Sequence, residues 1–492
     1  MRKQNNLFSA FKPYAFSDGF QFLLQRLAAQ SYKADKLVRV TIEIEPQDSL
    51  LMLSKLDAMS VDRCYFSHRN YVHSIAGIGT AVSLSASTPE ASLDIFARAQ
   101  AIVAGTDAVW VGGSAFTGQS GNGHWQDFPA ARYVLPLLEL SQRHDSCQLS
   151  LNLYAHNYAT WQSQLLLLGL LRRALRVENP RDQGTNSVVE RNNSLSYQDW
   201  ADTVNQVIGK IDVGELDKVV LAREVKLEMQ RDVDVFQLLR RFTLANSVEA
   251  IDRSHNSVNN PGSSQKGYVF ALEQGESIFF GCSPERLYQK IGQRLTTEAL
   301  AGTVGRACNS GVGASNLSND QDNNLAQALM FDPKLILEHR LVAQAIGKSI
   351  APLAMHVSTR AKPDIVKLGS VQHRFQAISA VLMPSIGDAE VYKNLHPTPA
   401  VCGYPRLQAQ RFIAQTEHFQ RGWYSGTVGL ISEERTELAV AIRSGLCRGK
   451  ELWLYSGVGI VKGSEPLMEW QELEVKLTAM LSALEVAEPQ LS

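Results

Sequence analysis

The sequence has no marked excess of either charge, no long apolar run and no closely spaced cysteines. Its 492 residues carry a formal net charge of −1, which argues against nucleic-acid binding because that function needs a basic surplus on one face of the protein. No apolar run reaches the roughly 18–20 residues that span a bilayer, so we expect no membrane segment. The six cysteines are widely scattered, which disfavours zinc and redox motifs and favours reduced thiols in the cytoplasm. The first residues also lack the apolar core and cleavage site of a secretory signal.

Strand and helix patterns occur in both halves of the chain without strict alternation. Alternating or apolar runs such as Leu37–Ile44 and Leu438–Ile442 predict strands. Periodic apolar runs predict one helix that begins after Asp332, an N-cap followed by a proline, and another that begins at Pro466. This arrangement favours an α+β fold over a doubly wound parallel sheet.

Polar stretches rich in turn-forming residues divide the chain. Arg253–Lys266 and Ala307–Asn324 predict surface insertions. Glu178–Ser196 predicts a boundary between an N-terminal α+β region, residues 1–195, and a catalytic region, residues 196–492. We expect the first region to be integrated with the catalytic fold.

A carboxylate interrupts the apolar face of the helix that follows Asp332. Glu338 lies on the same face as Leu335 and Val342. Burying a carboxylate is unfavourable unless it is paired or binds a metal. The position therefore indicates either a metal ligand or a salt bridge to an arginine such as Arg340.

The helix that begins near Pro466 carries a pair of carboxylates beside its apolar face. Glu469 and Glu472 are three residues apart and lie next to the stripe that contains Leu473 and Leu477. Like charges so placed repel unless a cation lies between them, and Mg²⁺ prefers such oxygen ligands. A solvated helix face is the alternative. The chain has no His and Cys set that would indicate zinc or iron.

Two further features indicate an anionic ligand. Arg443 directly follows an apolar strand, where its planar guanidinium can bind a carboxylate through two hydrogen bonds. A glycine-rich turn with Gly457 and Gly459 allows a ligand to approach the backbone closely. The turn alone is weak evidence. Together with the carboxylate helix it indicates an anion bridged by a metal.

Six motifs in a fixed order carry a resemblance to a known family. They are Gly281–Arg286 (GCSPER), Glu298–Thr303 (EALAGT), Leu395–Pro405 (LHPTPAVCGYP), Ala441–Ser444 (AIRS), Gly457–Val461 (GVGIV) and Glu469–Glu472 (EWQE). Together they resemble the chorismate-utilising enzymes, which include isochorismate, salicylate, anthranilate and aminodeoxychorismate synthases. The resemblance spans roughly Tyr197–Leu484. It implies a large fold of mainly antiparallel β-sheets flanked by helices, as in anthranilate synthase component I, with chorismate as substrate and Mg²⁺ as cofactor.

The resemblance also implies catalytic and metal-binding roles. Lys218, in LDKVVLAR, matches the general base that activates the water attacking C2 of chorismate, and Glu285 matches the general acid that protonates the departing C4 hydroxyl. Glu338 and Glu472 match the Mg²⁺ ligands, with Glu469 nearby through water. The base must be held neutral by burial and the acid must stay protonated. From the residues alone, Lys218 is better explained as a surface lysine at a strand edge and Glu285 as a turn residue after Pro284.

Other matched residues are expected to contact the substrate. They are Arg443, Gly457, Gly459, Lys462, Tyr424, His396, Gly302 and Thr303. His396 is equally well explained as a residue that caps a turn. One departure from the family pattern is Leu335, which stands where some relatives carry another acidic residue. It implies a metal site with fewer carboxylates or more water ligands.

Lys218 favours one branch of the family. Members that add ammonia carry a non-basic residue there, so a lysine indicates water as the nucleophile. Aminodeoxychorismate synthases are expected to carry a lysine in the segment matched by EALAGT, where this chain has Ala301, which disfavours that activity. No amidotransferase subunit is expected. Trp110–Leu137 loosely resembles the isochorismate synthase branch. We therefore predict isochorismate synthase activity in a monomer or homodimer, serving menaquinone or siderophore biosynthesis. The alternatives are a salicylate synthase and a catalytically silent chorismate-binding subunit.

Overall fold

The computed structural model describes residues 13–57, 59–69, 73–143, 146–176, 186–243, 267–305, 319–367 and 371–483. Within these ranges no helix is both long enough and apolar enough to cross a membrane. The predicted insertion Arg253–Lys266 lies outside the described residues, as does the first part of Ala307–Asn324.

Helices flank the sheet on several sides. Their bounds are α1 Phe16–Ala28, α2 Ser49–Ser54, α3 Pro89–Val103, α4 Tyr158–Ala174, α5 Tyr197–Asp212, α6 Asn319–Phe331, α7 Pro333–Ile350, α8 Asp388–Leu395, α9 Arg406–Thr416 and α10 Pro466–Ala483. Residues 235–243 are also helical, and short 3₁₀ turns occupy Gly123–Trp125 and Ala351–Leu353.

Strands make up the rest of the regular structure. Their bounds are β1 Val38–Ile44, β2 Arg63–Ser67, β3 His73–Ala86, β4 Trp110–Ser114, β5 Ala131–Arg143, β6 Ser146–Leu153, β7 Val188–Asn193, β8 Lys218–Met229, β9 Tyr268–Gln274, β10 Ser277–Ser283, β11 Arg286–Ile291, β12 Arg294–Gly305, β13 Ala354–Thr359, β14 Asp364–Lys367, β15 Val371–Leu382, β16 Gly403–Tyr404, β17 Thr427–Ile431, β18 Arg435–Val440, β19 Ser444–Arg448 and β20 Glu451–Val461.

The strands form one branched sheet in which every pairing between these strands is antiparallel. One branch runs β1–β6–β5–β3–β2–β9–β10–β19–β20–β8, and both β7 and β16 pair with β8. The other leaves β5 and runs β4–β17–β18–β11–β12–β15, with β13 and β14 paired to β15. The α+β fold of mainly antiparallel sheets flanked by helices is confirmed.

The two branches face each other across a shared apolar core. Phe270 and Phe279 of the first branch pack in one cluster with Val428 and Ala439 of the second, beside the fully buried Trp125. Helices α1 and α4 cover the first branch, whereas α3, α7 and α8 cover the second. Burying each such apolar side chain contributes about 1.5–3 kcal/mol to folding.

Helix α7 begins where the sequence predicts. The Asp332 carboxylate accepts a hydrogen bond of 3.0 Å from the backbone N–H of Leu335, and Pro333 occupies the first helical position. Val342 and Ile346 bury one face of the helix against the second branch. Glu338 on that helix is thereby brought close to the sheet.

One sequence prediction differs from the structure. Helix α6 begins at Asn319, within the stretch expected to be a surface insertion, because the apolar residues that define the helix follow the polar ones. Within Glu178–Ser196, Val188–Asn193 forms strand β7 because it pairs with β8. The division between residues 1–195 and 196–492 stays a prediction. Strands from the two sides pair directly, β2 with β9 and β4 with β17.

We predict that Gly112→Ala destabilises the protein by about 1–3 kcal/mol because it overpacks the sheet. Gly112 lies in β4, where an added Cβ would overlap the Arg132 carbonyl oxygen of β5. Urea unfolding measures the difference. Gly169→Ala is the matched control, because Gly169 lies in α4 with open space around its Cα, and it should stabilise the protein by about 0.5–1 kcal/mol. Equal stabilities of the two variants would contradict the close approach of β4 and β5.

Candidate active site

A cleft of about 720 Å³ opens between the sheet and helices α7 and α10. Strands β8, β12, β15 and β20 contribute to its walls. The sequence-predicted residues that line it are Glu285, Gly302, Thr303, Glu338, Tyr424, Arg443, Gly457, Gly459 and Glu472. Its lining also includes His373, Tyr455 and Lys476.

Lys218 forms a buried ion pair at one side of the cleft. Its Nζ donates a hydrogen bond of 2.9 Å to Oε1 of Glu338, and the two side chains are 1% and 13% exposed. Burial alone would raise the pKa of the Glu338 carboxyl, but Lys218 and other lysines nearby lower it below its ordinary value. The predicted base and the predicted metal ligand are therefore in direct contact.

The glycine-rich strand makes room for these side chains. A Cβ at Gly459 would lie 2.5 Å from Glu338 Oε1 and 2.7 Å from Lys218 Cε. A Cβ at Gly457 would lie 2.6 Å from the Tyr424 hydroxyl. Both glycines are needed for close approach, so they shape the cleft through neighbouring side chains as well as through their backbone.

Glu472 and Glu469 differ in their surroundings although both lie on α10. Glu472 lines the cleft and accepts a hydrogen bond of 2.7 Å from Lys476, which also donates to the Gly457 carbonyl oxygen at 2.9 Å. Glu469 is 1% exposed, bonds Lys334 and does not line the cleft. Burial raises the pKa of the Glu469 carboxyl, although Lys334 acts in the opposite direction. Only Glu472 of this pair faces the cleft.

Glu285 has the environment of a general acid. It lies between β10 and β11, is 3% exposed and lines the cleft. Burial, with a further contribution from the negative charge of Glu298, raises the pKa of Glu285 to about 8, while Lys218 acts in the opposite direction. Its carboxyl is therefore protonated at neutral pH and able to donate a proton.

Glu298, in the EALAGT motif, fixes the backbone beside Glu285. One of its oxygens accepts a hydrogen bond of 3.0 Å from the N–H of Arg286. The Arg69 guanidinium donates two hydrogen bonds, of 2.6 and 2.9 Å, to the same carboxylate. A residue of the N-terminal region thus supports the part of the sheet that carries Glu285.

Arg443 presents a guanidinium to the cleft. Its backbone adopts a φ of +52° directly before β19, which turns the chain between β18 and β19. No carboxylate among the described residues lies within ion-pair distance of this side chain, and burial lowers its pKa. A ligand carboxylate would therefore stabilise the charged guanidinium. Tyr424, whose ring stacks on Tyr455 at 5.1 Å, lines the wall beside it.

Gly302 and Thr303 lie at a bulge of β12. Gly302 has a φ of +76°, which favours glycine, and the register with β15 shifts at this point. The Thr303 hydroxyl lies 2.9 Å from Nδ1 of His373. Burial lowers the pKa of His373 well below its ordinary value, so the ring is neutral at pH 7.

The structure does not bring Lys462 and His396 to the cleft. Lys462 is exposed just beyond the end of β20, because the strand that lines the cleft ends at Val461. His396 is buried at the end of α8, where its ring packs against Tyr392 at 5.1 Å. Burial lowers the pKa of His396 to about 3. Neither residue is among those that line the cleft.

Lys476, Lys334 and His373 are among the residues of the site that were not predicted. Lys476 is four residues after Glu472 and Lys334 is four before Glu338, a spacing that places each pair on one helix face. That signal was available in the sequence. His373 lies in the interior of β15 and carries no local signal, since it reaches the cleft only through the pairing of β12 with β15.

The carboxylates suit a hard divalent cation. Glu338 and Glu472 offer oxygen ligands to one cleft, which matches the preference of Mg²⁺. Each of Glu338, Glu472 and Glu469 bonds a lysine, so the cluster is formally neutral. Among the described residues, no group of three or more His, Cys, Asp or Glu side chains is already arranged around a metal position. The donors fit Mg²⁺, provided that they turn from the lysines toward it.

This fold and cleft define an enzyme-like site for a small anionic ligand. The model of the family described as chorismate binding enzyme matches residues 22–485, so the chain belongs to that family. It is 32% identical to isochorismate synthase MenF of Bacillus subtilis over 73% of this chain and 71% of that protein. It is 28% identical to the MenF of Haemophilus influenzae over 91% and 92% of the two chains. The solved structure of MenF, the menaquinone-specific isochorismate synthase of Escherichia coli, matches with a TM-score of 0.78 and 26% identity, covering 95% of this chain and 99% of that one.

We predict that Glu285→Gln removes a pH dependence of stability. The pKa of Glu285 is raised to about 8 in the folded protein, whereas it is about 4.3 in the unfolded chain. Below about pH 4.3 the carboxyl is therefore protonated in both the folded and the unfolded protein. Wild-type stability then falls relative to the variant as the pH rises from about 4.3 to about 8. The variant should gain on the order of a few kcal/mol over wild type across this window.

Urea unfolding at pH 5 and pH 9 measures that gain. The control is Glu90→Gln, since Glu90 is exposed in the first turn of α3 and should give nearly the same difference from wild type at both pH values. A difference for Glu285→Gln that does not change with pH would show that its carboxyl ionises normally.

Proposed function

We propose that this protein is an isochorismate synthase, an isomerase that converts chorismate to isochorismate. The observation that carries the proposal is one cleft lined by a protonated glutamate, Glu285, and by two carboxylates suited to Mg²⁺, Glu338 and Glu472. The buried Lys218 contacts this cleft through its ion pair with Glu338. The names of the similar proteins support the same activity.

Lys218 supplies the base. To act as the base, Lys218 must first lose the proton of its ion pair with Glu338. Its Nζ then removes a proton from a water molecule, whose oxygen bonds to C2 of the substrate ring. The side chain is 1% exposed, and its Nζ lies 2.9 Å from Glu338, which lines the cleft. The close approach of Gly459 leaves space for Nζ next to the cleft. An ammonia-using relative would have no need for a base of this kind.

Glu285 supplies the acid. Its protonated carboxyl donates to the oxygen at C4, so that the hydroxyl leaves as water while the ring double bonds shift. One water is added and one is released, which makes the reaction an isomerisation with no net change in atoms. The raised pKa of Glu285 keeps the proton available at neutral pH.

Glu338 and Glu472 are the residues that we propose hold Mg²⁺, with Glu469 behind them. When bound, the ion would neutralise and orient a substrate carboxylate. Arg443 is placed to bind a substrate carboxylate with its guanidinium. Gly302, Thr303, Tyr424 and the backbone around Gly457 and Gly459 would shape the remaining walls.

A salicylate synthase is the second candidate, since it would use the same acid and base and then eliminate pyruvate. The names of the similar proteins favour isochorismate as the final product. The menaquinone-specific neighbour favours a role in menaquinone rather than siderophore biosynthesis. A catalytically silent subunit is disfavoured because base, acid and carboxylates all occur together.

We also propose that the enzyme acts in the cytoplasm. The described cysteines are free thiols, which fits a reducing compartment such as the cytoplasm. We propose that the chain acts as a monomer or homodimer, without an amidotransferase subunit, because water rather than ammonia is the nucleophile.

We predict that the purified protein forms isochorismate from chorismate when Mg²⁺ is present and forms little salicylate or pyruvate. Separation of the products by liquid chromatography tests this, with a reaction containing EDTA in place of Mg²⁺ as control. A chromatogram dominated by salicylate would instead assign the protein to the second candidate. Equal turnover in EDTA would remove the metal from the proposal.

We predict that Lys218→Met lowers kcat by at least about 10³-fold, because it removes the base. Steady-state kinetics on isochorismate formation measure the loss. Lys210→Met provides the control, since Lys210 pairs with Glu215 on the exposed face of α5, and it should keep wild-type activity. Substantial activity in Lys218→Met, with the fold intact by circular dichroism, would exclude Lys218 as the base.

A further inference from the structure

Lys334 places an internal cation beside the carboxylate cluster. It occupies the first turn of α7, one helical turn before Glu338 and on the same face. Its ammonium group bonds Glu469, which is 1% exposed on α10. The lysine itself is 27% exposed. Because it joins α7 to Glu469 of α10, its charge lies between the two helices that carry the carboxylates.

The other two lysines of the cluster have evident tasks. Lys218 is the proposed base, and Lys476 bonds both Glu472 and the backbone of the cleft wall at Gly457. Lys334 does not line the cleft, and its partner in the described structure is Glu469. Neither proton transfer nor substrate contact explains its position.

Charge balance indicates what Lys334 does. The three glutamates and three lysines are paired one to one, so the cluster is formally neutral. A divalent cation entering alone would leave an excess of two positive charges in a partly buried space, which is unfavourable. Arg443 adds a further positive charge to the same cleft, so a cation that enters without an anionic ligand is still less favourable. Removing the positive charge of Lys334 would make the cluster attract the cation without substrate.

We propose that Lys334 is a residue that weakens metal binding: its positive charge neutralises Glu469 and opposes a divalent cation at Glu338 and Glu472. This inference rests on the metal site of the proposed function. Glu469 is then the partner of Lys334 rather than a ligand of the ion.

Isothermal titration calorimetry with Mg²⁺ alone tests the inference on the full-length protein. Lys334→Met should bind Mg²⁺ about tenfold more tightly than wild type, the scale typical of residues that adjoin metal ligands. Lys334→Arg keeps the charge and should bind like wild type. Lys334→Gln is a second neutral variant, to be used if the methionine variant is unstable. Electron paramagnetic resonance of bound Mn²⁺ provides an independent ranking of the metal affinities of wild type and the Lys334 variants.

The matched control is Lys348→Met, the same substitution in the exposed last turn of α7, which should leave the Mg²⁺ affinity unchanged. Binding by wild type and Lys334→Met with equal affinity would overturn the role of Lys334 and leave the metal site standing. So would weaker binding by Lys334→Met. If no form of the protein binds Mg²⁺ or Mn²⁺, the metal site itself fails, and the chromatographic assay still decides the activity.

Discussion

The buried contact between Lys218 and Glu338 is the interaction on which the site depends. A strand of the first branch, β8, supplies the lysine, and α7, which packs on the second branch, supplies the glutamate. Each charge would be strongly unfavourable in that position without the other. The pair therefore requires that the two branches of the sheet lie in their observed places. Gly459 is required as well, since any side chain there would overlap both groups.

The same geometry gives the carboxyl groups of Glu338 and Glu285 different electrostatic surroundings. Lysine charges hold the Glu338 carboxyl ionised, whereas burial and the charge of Glu298 keep Glu285 protonated. Two carboxyl groups in one cleft thus have opposite protonation states at neutral pH. Arg69 of the N-terminal region holds Glu298 in position behind the acid through two hydrogen bonds.

Much of this site was predictable where the signal is local. The Asp332 cap, the helix that follows it and the odd placement of Glu338 on an apolar face all come from spacing within a few residues. Lys218 and Glu285 were predictable only from the family motifs, since neither has an unusual local pattern. The contact of His373 with Thr303 and that of Lys334 with Glu469 each join elements distant in the chain, so the sequence pattern does not predict them. His396 and Lys462 lie within or beside motifs but outside the cleft, because a motif does not specify which of its side chains faces inward.

The joining strand β5 has a consequence for how the protein folds. It belongs to both branches, and β4 beside it pairs with β17. The Trp423 indole donates a hydrogen bond of 2.7 Å to the Pro129 carbonyl oxygen, 294 residues away in sequence. Such long loops must close before their contacts contribute, which slows folding and leaves early segments exposed during synthesis. A ribosome-bound chain that still lacks β17 therefore carries an unpaired edge at β4, a natural binding site for a chaperone until the second branch is made.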